Sequence, residues 1–289
     1  MTLLVLSDAS TFRQACETAR AEHGRIAFVP TMGALHEGHR TLIRQAQARA
    51  PWVAVSLFVN PTQFGPQEDF ANYPRNPESD LEQLRVLGVQ AAFAPPVEEL
   101  YPANDATRVH VTGLSGALCS PHRPDHFVGV ATIVTKLFAL SGPCLAFFGN
   151  KDYQQLQIIR RLVADLLLPV TVVGVATVRE PDGLAMSSRN AYLTPDERPR
   201  ALALITGLRS AYDLFAAGEQ RAVVILAAAR APVNAAADAV DYVSLVHPDT
   251  LALLGEDRPV GARALLAIAA RIGKTRLIDN VVLGEDERP

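Results

Sequence analysis

Two histidines that stand three positions apart are the first residues in the sequence with the chemistry of a phosphate site. They lie in Pro30–His39, PTMGALHEGH, which follows a short apolar run and precedes a segment with helical spacing. Residues at i and i+3 share one face of a helix, so His36 and His39 are predicted to lie side by side. Backbone N–H groups at a helix start favour an anion, and Gly33 and Gly38 let it approach the backbone closely.

Other motifs built from similar residues do not fit this spacing. A Walker A loop would place Lys and then Ser or Thr after Gly38, where the sequence has His39 and Arg40. A zincin needs His-Glu-x-x-His, and here only two residues separate the histidines. The sequence contains no G-x-G-x-x-G dinucleotide motif. One structural alternative stays open, in which the two histidines only cap a helix at the surface.

A pair of neutral amides follows the next apolar run. Asn60 and Gln63 stand in Val59–Gly65, VNPTQFG, directly after a buried-looking strand. An amide can orient a carboxylate without forming an ion pair with it, which suits a carboxylate that must act as a nucleophile. The alternative is an ordinary turn in which Asn60-Pro61 ends the strand.

A lysine at a helix start marks the third motif, Phe148–Gln155, FGNKDYQQ. A cation is unfavourable at that end of the helix dipole, so Lys151 indicates a bound anion. Asp152 is a candidate N-cap, and Gln155 shares its helix face. A surface lysine beside an ordinary cap is the structural alternative.

The fourth motif, Leu184–Asn190, LAMSSRN, places two hydroxyls and one cation in a polar loop. Such a loop can close over phosphates and supply donors as charge moves in the transition state. A polar linker without a chemical role is the alternative.

These motifs need a scaffold that brings strand ends together. Over the first 178 residues short strands alternate with helices, which predicts an α/β fold: a Rossmann-like parallel sheet with helices on both faces. After Arg179, helices at Pro195–Gly218 and Glu219–Arg230 are followed by strands at 241–247, 264–272 and 275–283. We therefore expect two domains, 1–178 and 179–289, the second a smaller α+β lid domain.

Composition places the chain among folded globular proteins. Its 289 residues are 49% hydrophobic and 20% charged, which suits two domains with cores. A net charge of −3 gives no basic excess, so no nucleic acid or membrane partner is expected. The three cysteines stand too far apart for a zinc or disulfide pattern. Leu166–Val178 is broken by Pro169 and is too short to span a bilayer, and Met1–Ser7 is not typical of a secretory signal. A cytoplasmic location is predicted.

In chain order the four motifs resemble those of the pantothenate synthetase family, in the nucleotidylyltransferase superfamily. His36-Glu37-Gly38-His39 matches the superfamily's His-x-Gly-His motif, and Met186–Arg189 matches a variant of its late Lys-Met-Ser-Lys-Ser loop. The resemblance covers residues 25–190 and extends more loosely to Thr275–Asn280. Asn150 departs from it, because the family pattern has Glu there, and this leaves the role of that side chain open.

The resemblance implies a reaction and its site residues. ATP, (R)-pantoate and β-alanine would give pantothenate, AMP and diphosphate through pantoyl adenylate, with Mg²⁺ accompanying the nucleotide and a homodimer formed through the first domain. The implied catalytic residues are His36, His39, Lys151, Ser187, Ser188 and Arg189, with His39 as proton donor. The implied ATP contacts are these six and Met32, Gly33, Ala34, Leu35, Glu37, Gly38, Gly149, Asn150, Asp152, Val178 and Met186. The implied pantoate contacts are Pro30, Met32, Gln63 and Gln155, and Gln63 would also meet β-alanine.

Two further expectations concern the residues around the cleft and the positions of the four loops. Arg123 and Tyr73 match family positions near the cleft, with no firm role. All four loops are expected to converge on one triphosphate pocket.

Two rival functions remain open from the sequence. Another nucleotidylyltransferase or an amino-acid-activating ligase would share the nucleotide motifs, although the latter class carries tRNA-binding appendages and this chain is acidic. A nucleotide-binding regulator without activity would need the nucleotide contacts but not the amides of Gln63 and Gln155.

Overall fold

The computed structural model describes residues 2–66, 68–114, 116 and 118–289. The chain divides into two compact units. The first comprises Met1–Thr112, Arg123–Asn150 and Ile158–Ala176, and the second comprises Gly113–His122, Lys151–Gln157 and Thr177–Pro289. Segments 113–122 and 151–157 of the predicted N-terminal domain, together with residues 177 and 178, therefore group with the C-terminal part of the chain.

A six-stranded sheet forms the first unit. Its strands are β1 (Leu4–Leu6), β2 (Ile26–Thr31), β3 (Trp52–Leu57), β4 (Ala91–Phe93), β5 (Cys144–Gly149) and β6 (Val170–Val175). They lie in the order β1–β4–β3–β2–β5–β6, and each pairing between neighbours is parallel. The direction of winding reverses between β2 and β5, which is where α/β sheets bind ligands at the carboxyl ends of the strands. The predicted Rossmann-like sheet is confirmed.

Helices cover this sheet on both faces because its strands alternate between two apolar sets. The helices are α1 (Ala9–His23), α2 (Glu37–Gln47), α3 (Pro77–Val86), α4 (Val97–Leu100), α5 (His126–Ser141) and α6 (Tyr153–Asp165). Val29 of β2 lies in one core cluster with Ile43 of α2 and Leu84 of α3. Phe28, the preceding residue, faces the other way and packs against Phe12 of α1, with 5.8 Å between ring centroids.

The sheet opens at its site edge beside a proline. Pairing between β2 and β5 is limited to Ala27–Leu145 and Phe28–Ala146, so these strands are no longer paired at Pro30. A proline lacks the backbone N–H that a sheet ladder needs, and it fits a position where two strands separate.

A three-stranded antiparallel sheet forms the centre of the second unit. Its strands are β7 (Ala239–Val246), β8 (Ala264–Ile272) and β9 (Thr275–Leu283), and its helices are α7 (Glu197–Ala201), α8 (Ala203–Ala216) and α9 (Ala222–Ala236). One sheet face packs against α8 and α9, where Leu208, Ile225 and Leu266 are fully buried or nearly so. The predicted smaller α+β domain is confirmed, although its first helix is divided at Leu202 into α7 and α8.

All three cysteines are buried and none forms a disulfide bond. None of the helices in the described part of the chain has both the length and the apolar character that crossing a membrane requires.

Candidate active site

A buried carboxylate holds the loop between β2 and α2. Asp80 of α3 is 3% exposed and accepts hydrogen bonds from the N–H groups of Ala34 (2.9 Å) and Leu35 (2.8 Å). Gly33 has a φ of 77°, and a Cβ there would lie 2.9 Å from Asp80 Oδ2. Glycine is therefore needed at this position for both its backbone and its size. Because Asp80 binds these amides, a phosphate at this loop would meet the histidine side chains and the start of α2.

The two histidines lie side by side at the start of α2, as their spacing predicts. Their ring centroids are 4.1 Å apart. His36 is the N-cap residue, and its Nδ1 accepts the N–H of Gly38 at 3.2 Å, while Nδ1 of His39 accepts the N–H of His36 at 3.4 Å. A ring nitrogen that accepts carries no proton, so these two hydrogen bonds place the ring proton of each imidazole, when neutral, on Nε2.

Glu37, which stands between the histidines, forms ion pairs along α2. Its carboxylate lies 2.5 Å from Nη1 of Arg44 and 3.3 Å from Nη1 of Arg40. The hydrogen bond from Arg44 holds the pKa of Glu37 below its usual value. In this conformation the Glu37 side chain is used within the helix, and its predicted contact with ATP remains a prediction.

The amide motif meets the first motif directly. Asn60 is 1% exposed, and its Nδ2 donates to Gln63 Oε1 and to the carbonyl oxygen of Gly129, each at 3.1 Å. Gln63 Nε2 lies 3.0 Å from Sδ of Met32, a weak acceptor. The structure therefore brings together Met32 and Gln63, two of the residues predicted to contact pantoate.

Helix α5 packs tightly against this turn at a glycine. A Cβ on Gly129 would lie 2.3 Å from the carbonyl oxygen of Thr62, so a larger residue would push helix and turn apart. His126 Nδ1 lies 2.9 Å from the carbonyl oxygen of Gln63. The backbone of Gln63 is thus positioned by α5, a connection that the sequence analysis missed.

Arg123 and Tyr73, which had no firm role, both support the amide loop. Nε and Nη2 of Arg123 contact the Glu68 carboxylate at 2.5 and 2.7 Å, and Nη2 also donates to the carbonyl oxygen of Gln63 at 3.4 Å. Burial alone would raise the pKa of Glu68, but the hydrogen bonds and charge of Arg123 outweigh it and lower that pKa to about 2. Tyr73 is 6% exposed and packs edge-on against Phe64, with 5.7 Å between ring centroids.

Lys151 lies in a short 3-10 turn, Asn150–Asp152, that leads into α6. Its side chain is 18% exposed, and its Nζ lies 3.8 Å from Oδ1 of Asp152. The carboxylate and ammonium at this turn are close enough to attract each other, and Asp152 remains 48% exposed. The ammonium is therefore held near the helix start while staying accessible.

The two glutamines that follow have different surroundings. Gln154 is 5% exposed, accepts the N–H of Cys119 and donates to the carbonyl oxygen of Leu114, each at 3.0 Å. It joins segments 113–122 and 151–157 within the second unit. Gln155 is half-buried, and no hydrogen bond between its side chain and another described residue is found. Gln155 is therefore the glutamine with an amide available to a ligand.

The fourth motif is the end of a tight hairpin. Arg179 and Ala185 form an antiparallel bridge, and Met186 donates its N–H to the carbonyl oxygen of Val178 at 2.9 Å. Asn190, 9% exposed, donates from Nδ2 to the carbonyl oxygen of Ala185 at 3.0 Å. The hydroxyl groups of Ser187 and Ser188 and the guanidinium group of Arg189 are thus carried by a closed loop rather than by a loose linker.

Ser187 caps the short helix that follows this hairpin. Its Oγ accepts the N–H of Arg189 at 3.3 Å, at the start of the 3-10 helix Ser188–Tyr192. The four residues predicted to act on phosphates in the second unit are all half-buried: Lys151, Ser187, Ser188 and Arg189.

The predicted residues thus fall into two sets. Those of the first unit follow neighbouring strands: Pro30, Met32, Gly33, Ala34, Leu35, His36, Glu37, Gly38 and His39 at β2, Gln63 after β3, and Gly149 and Asn150 at β5. Those of the second unit are Lys151, Asp152, Gln155, Val178, Met186, Ser187, Ser188 and Arg189. Within the described residues, no three His, Cys, Asp or Glu side chains are arranged to hold a metal ion.

The chain is similar to proteins of one family over nearly its whole length. A family model described as pantoate-beta-alanine ligase matches residues 4–282. Pantothenate synthetase of Myxococcus xanthus is 54% identical over 269 residues, 93% of this chain and 92% of the relative. The crystal structure of pantothenate synthetase from Thermus thermophilus gives a TM-score of 0.90 at 45% identity, covering 96% of this chain and 98% of that one. The crystal structure of pantoate-beta-alanine ligase from Francisella tularensis complexed with beta-gamma ATP and beta-alanine gives 0.80 at 31% identity, covering 100% of both.

Proposed function

The chain belongs to the pantoate–β-alanine ligase family, and we propose that its four motifs carry out the family's reaction with the roles given below. The protein is a ligase that joins (R)-pantoate to β-alanine and converts ATP to AMP and diphosphate. The pantoate carboxylate attacks the α-phosphorus, and diphosphate leaves. The β-alanine amine then attacks the carbonyl of pantoyl adenylate, and AMP leaves. The family match over residues 4–282 carries this conclusion.

The imidazoles of His36 and His39 bind the phosphates of ATP in this proposal. Adenylation brings an anionic carboxylate to a polyanion, so donors that need no proton uptake are useful there. The Nδ1 acceptor bonds support this role, because they leave the donor proton of each neutral ring on Nε2. A proton that His39 gives to the substrate would come from that nitrogen.

The cation and hydroxyls of the second unit stabilise the leaving group in this proposal. Negative charge moves onto diphosphate as the P–O bond breaks, and positioned donors lower the energy of that state. The half-buried ammonium of Lys151 and the closed hairpin before Ser187 support the assignment. The donors are Lys151, Ser187, Ser188 and Arg189.

Pantoate has an apolar and a polar end, and the proposed contacts divide in the same way. Pro30 and Met32 would face its dimethyl group, while the amides of Gln63 and Gln155 would bind its hydroxyl and carboxylate. Among the described residues, Gln63 Nε2 contacts Sδ of Met32, a weak acceptor, and a carboxylate oxygen in its place would form a stronger hydrogen bond. Gln63 would also contact β-alanine in the second step.

The nucleoside and the metal complete the ATP site. Mg²⁺ usually binds through substrate phosphates with one or two carboxylates and several waters, so we propose that it arrives with ATP and neutralises phosphate charge. The donor chemistry at Asp152, a half-exposed carboxylate beside Lys151, fits such a partial contact. The remaining proposed nucleotide contacts are Met32, Gly33, Ala34, Leu35, Glu37, Gly38, Gly149, Asn150, Asp152, Val178 and Met186.

A homodimer formed through the first unit is also part of the proposal. Leu166 and Leu167 are 48% and 88% exposed, directly before β6 at one edge of the sheet. Exposed apolar side chains beside a sheet edge favour association. Sedimentation at micromolar concentration should give a dimer that Leu167→Gln weakens and Leu253→Gln, an exposed leucine of the second unit, leaves unchanged. A monomer at all concentrations would contradict the dimer.

We also propose a cytoplasmic location, which is supported by three buried cysteines without a disulfide bond. Fractionation of cells that express the protein would test it. Recovery of the protein outside the cytoplasm would contradict it.

Release of AMP tests the function itself. AMP should form in the presence of ATP, pantoate and β-alanine, and omission of any one should abolish steady turnover. Replacing pantoate by amino acids should give no AMP. AMP release with an amino acid but not with pantoate would instead identify an amino-acid-activating ligase, and tight ATP binding with no AMP release would identify a regulator.

A further inference from the structure

We propose that Asp279 and Asn280, consecutive residues of β9, are positioning residues that fix the two nucleotide motifs of the second unit relative to each other. Neither touches a substrate in this proposal. Asn280 acts through Lys151 and Asp279 acts through the hairpin that carries Ser187 and Arg189. The inference rests on the proposed roles of those three residues.

Asn280 binds the backbone of the lysine turn. Its Nδ2 donates to the carbonyl oxygen of Lys151 at 2.8 Å, and the residue is 7% exposed. A buried amide hydrogen bond of this length restricts the peptide group that it holds. The position from which the Lys151 side chain extends is therefore set by a strand 129 residues further along the chain.

Asp279 binds the base of the hairpin. Its carboxylate accepts two hydrogen bonds from the Arg179 guanidinium, at 2.7 and 3.1 Å, and Asp279 is 3% exposed. Nη1 of Arg179 also donates to the carbonyl oxygen of Gly183 at 3.2 Å, and Arg179 bridges Ala185 across the hairpin. A bidentate pair fixes the orientation of both groups, so the hairpin is anchored at its first residue.

The two contacts lie on opposite faces of the sheet, because side chains alternate along a strand. The face of Asp279 includes Leu277 and Val281, which belong to the core cluster that contains Leu184 of the hairpin. The face of Asn280 includes Val282, which belongs to a different cluster together with Tyr153 of α6.

One strand thus sets the spacing of two loops that are distant in sequence. Pairing between β8 and β9 is continuous from Ala264–Leu283 to Ile272–Thr275, so neither residue can shift without its neighbour. Asp279 Oδ1 also accepts the N–H of Asn280 at 2.8 Å. The ammonium at 151 and the hydroxyls at 187 and 188 are therefore held in one frame before ATP binds, as a phosphoryl-transfer site requires.

A kinetic double-mutant cycle between Asn280 and Lys151 tests the positioning role of Asn280. Asn280→Ala should slow single-turnover formation of pantoyl adenylate about 10-fold, since small misplacements of a catalytic group reduce rates strongly. In a Lys151→Ala background the same substitution should change the rate by less than about 2-fold, because its target is gone. An undiminished 10-fold loss in that background would overturn the proposal, because a general structural defect would persist there.

Matched substitutions at two carboxylates test the positioning role of Asp279. Asp279→Asn and Asp241→Asn each weaken an ion pair with a mostly buried arginine of the second unit, and the partner of Asp241, Arg276, lies on β9 itself. Asp279→Asn should slow adenylation about 10-fold or more, and the loss should nearly vanish in a background that carries Ser187→Ala, Ser188→Ala and Arg189→Ala together. Asp241→Asn should leave the adenylation rate within about 2-fold of wild type. Equal losses from both substitutions would overturn the proposal.

Folding failure does not end the test. If Asn280→Ala does not fold, the nearly isosteric Asn280→Asp removes the Nδ2 donor and should give the same coupling with Lys151. Failure of the positioning proposal and failure of the proposed function are distinguishable. The first leaves a wild-type enzyme that forms the adenylate, whereas the second leaves no adenylate in any variant.

Discussion

The two units hold their site residues in different ways. In the first unit, the proposed site residues Met32, His36 and Gln63 lie in the segments that follow neighbouring parallel strands, so the order of the sheet places them. In the second unit, Lys151 and the hairpin of Arg179 and Ala185 are held by side chains of β9. The arrangement in the first unit follows from strand order, which a hydrophobic pattern of many residues determines. The arrangement in the second unit depends on two individual side chains, those of Asp279 and Asn280. Substitutions in the two units should therefore have different kinetic signatures.

Lys151→Ala should have the strongest kinetic consequence of the substitutions in the second unit. Loss of one transition-state donor should slow adenylation by about 10²–10³, or roughly 2.7–4 kcal/mol. The affinity for pantoate should change little. Single-turnover adenylate formation checks this, and a wild-type rate would refute the role of the ammonium.

Gly129→Ala should break the first unit's arrangement without touching a substrate. The added Cβ would lie 2.3 Å from the Thr62 carbonyl oxygen, so α5 and the turn that carries Gln63 must separate. Because a displacement near 1 Å can reduce a rate by as much as about 10², we expect the adenylation rate to fall by up to that factor. Gly116→Ala, where a Cβ would meet no atom within 4 Å, is the matched control. The comparison fails if Gly129→Ala affects ATP affinity and leaves pantoate affinity intact.

Gln155→Ala tests an exception to the comparison, because this residue of the second unit is assigned to pantoate. Removing one hydrogen-bonding amide should lower the affinity for pantoate at least about 10-fold, since a hydrogen bond to a charged group contributes about 1.5–3 kcal/mol. ATP affinity should be nearly unchanged, as measured by titration calorimetry. Gln154→Ala is no suitable control, because Gln154 ties two segments together. Equal losses for both ligands would remove Gln155 from the pantoate site.

A weaker effect is expected in acid, where the protein should lose the stability that the Glu68–Arg123 ion pair gives to the amide loop of the first unit. The folded-state pKa of Glu68 is lowered from 4.5 to about 2, so its ion pair with Arg123 stabilises the fold fully above about pH 4.5. That stabilisation is lost as the pH falls towards 2. The difference in denaturation midpoint between wild type and Glu68→Gln should therefore shrink over this range. Glu82→Gln, whose partner Arg85 is also exposed, should show little difference at any pH.

The sequence predicted most of the scaffold because long apolar patterns carry that information. The bounds expected for β8 and β9 agree with the structure. Neither β1 nor α1 was predicted from the sequence. β1 has only three residues at a sheet edge, and α1 is largely polar on its outer face, although Asp8 accepts the N–H of Thr11 as an N-cap.

The supporting residues of the site were beyond the reach of motif spacing. Asp80 resembles one more acidic residue in the first turn of α3, and only the fold shows that it binds the loop of Ala34 and Leu35. Gly129 lies inside a helical pattern with no local sign that a turn packs against it. Asp279 and Asn280 lie 100 residues or more from their partners. Contacts at such separations depend on tertiary structure, which a single sequence does not display.

Exchange of labelled diphosphate into ATP is the most direct measurement of pantoate adenylation, because it reports this step before the amine attacks. With ATP, Mg²⁺ and pantoate but no β-alanine, the wild-type protein should catalyse the exchange, and Lys151→Ala should reduce it by about 10²–10³. Exchange that needs no pantoate, or that appears only after β-alanine is added, would contradict the account.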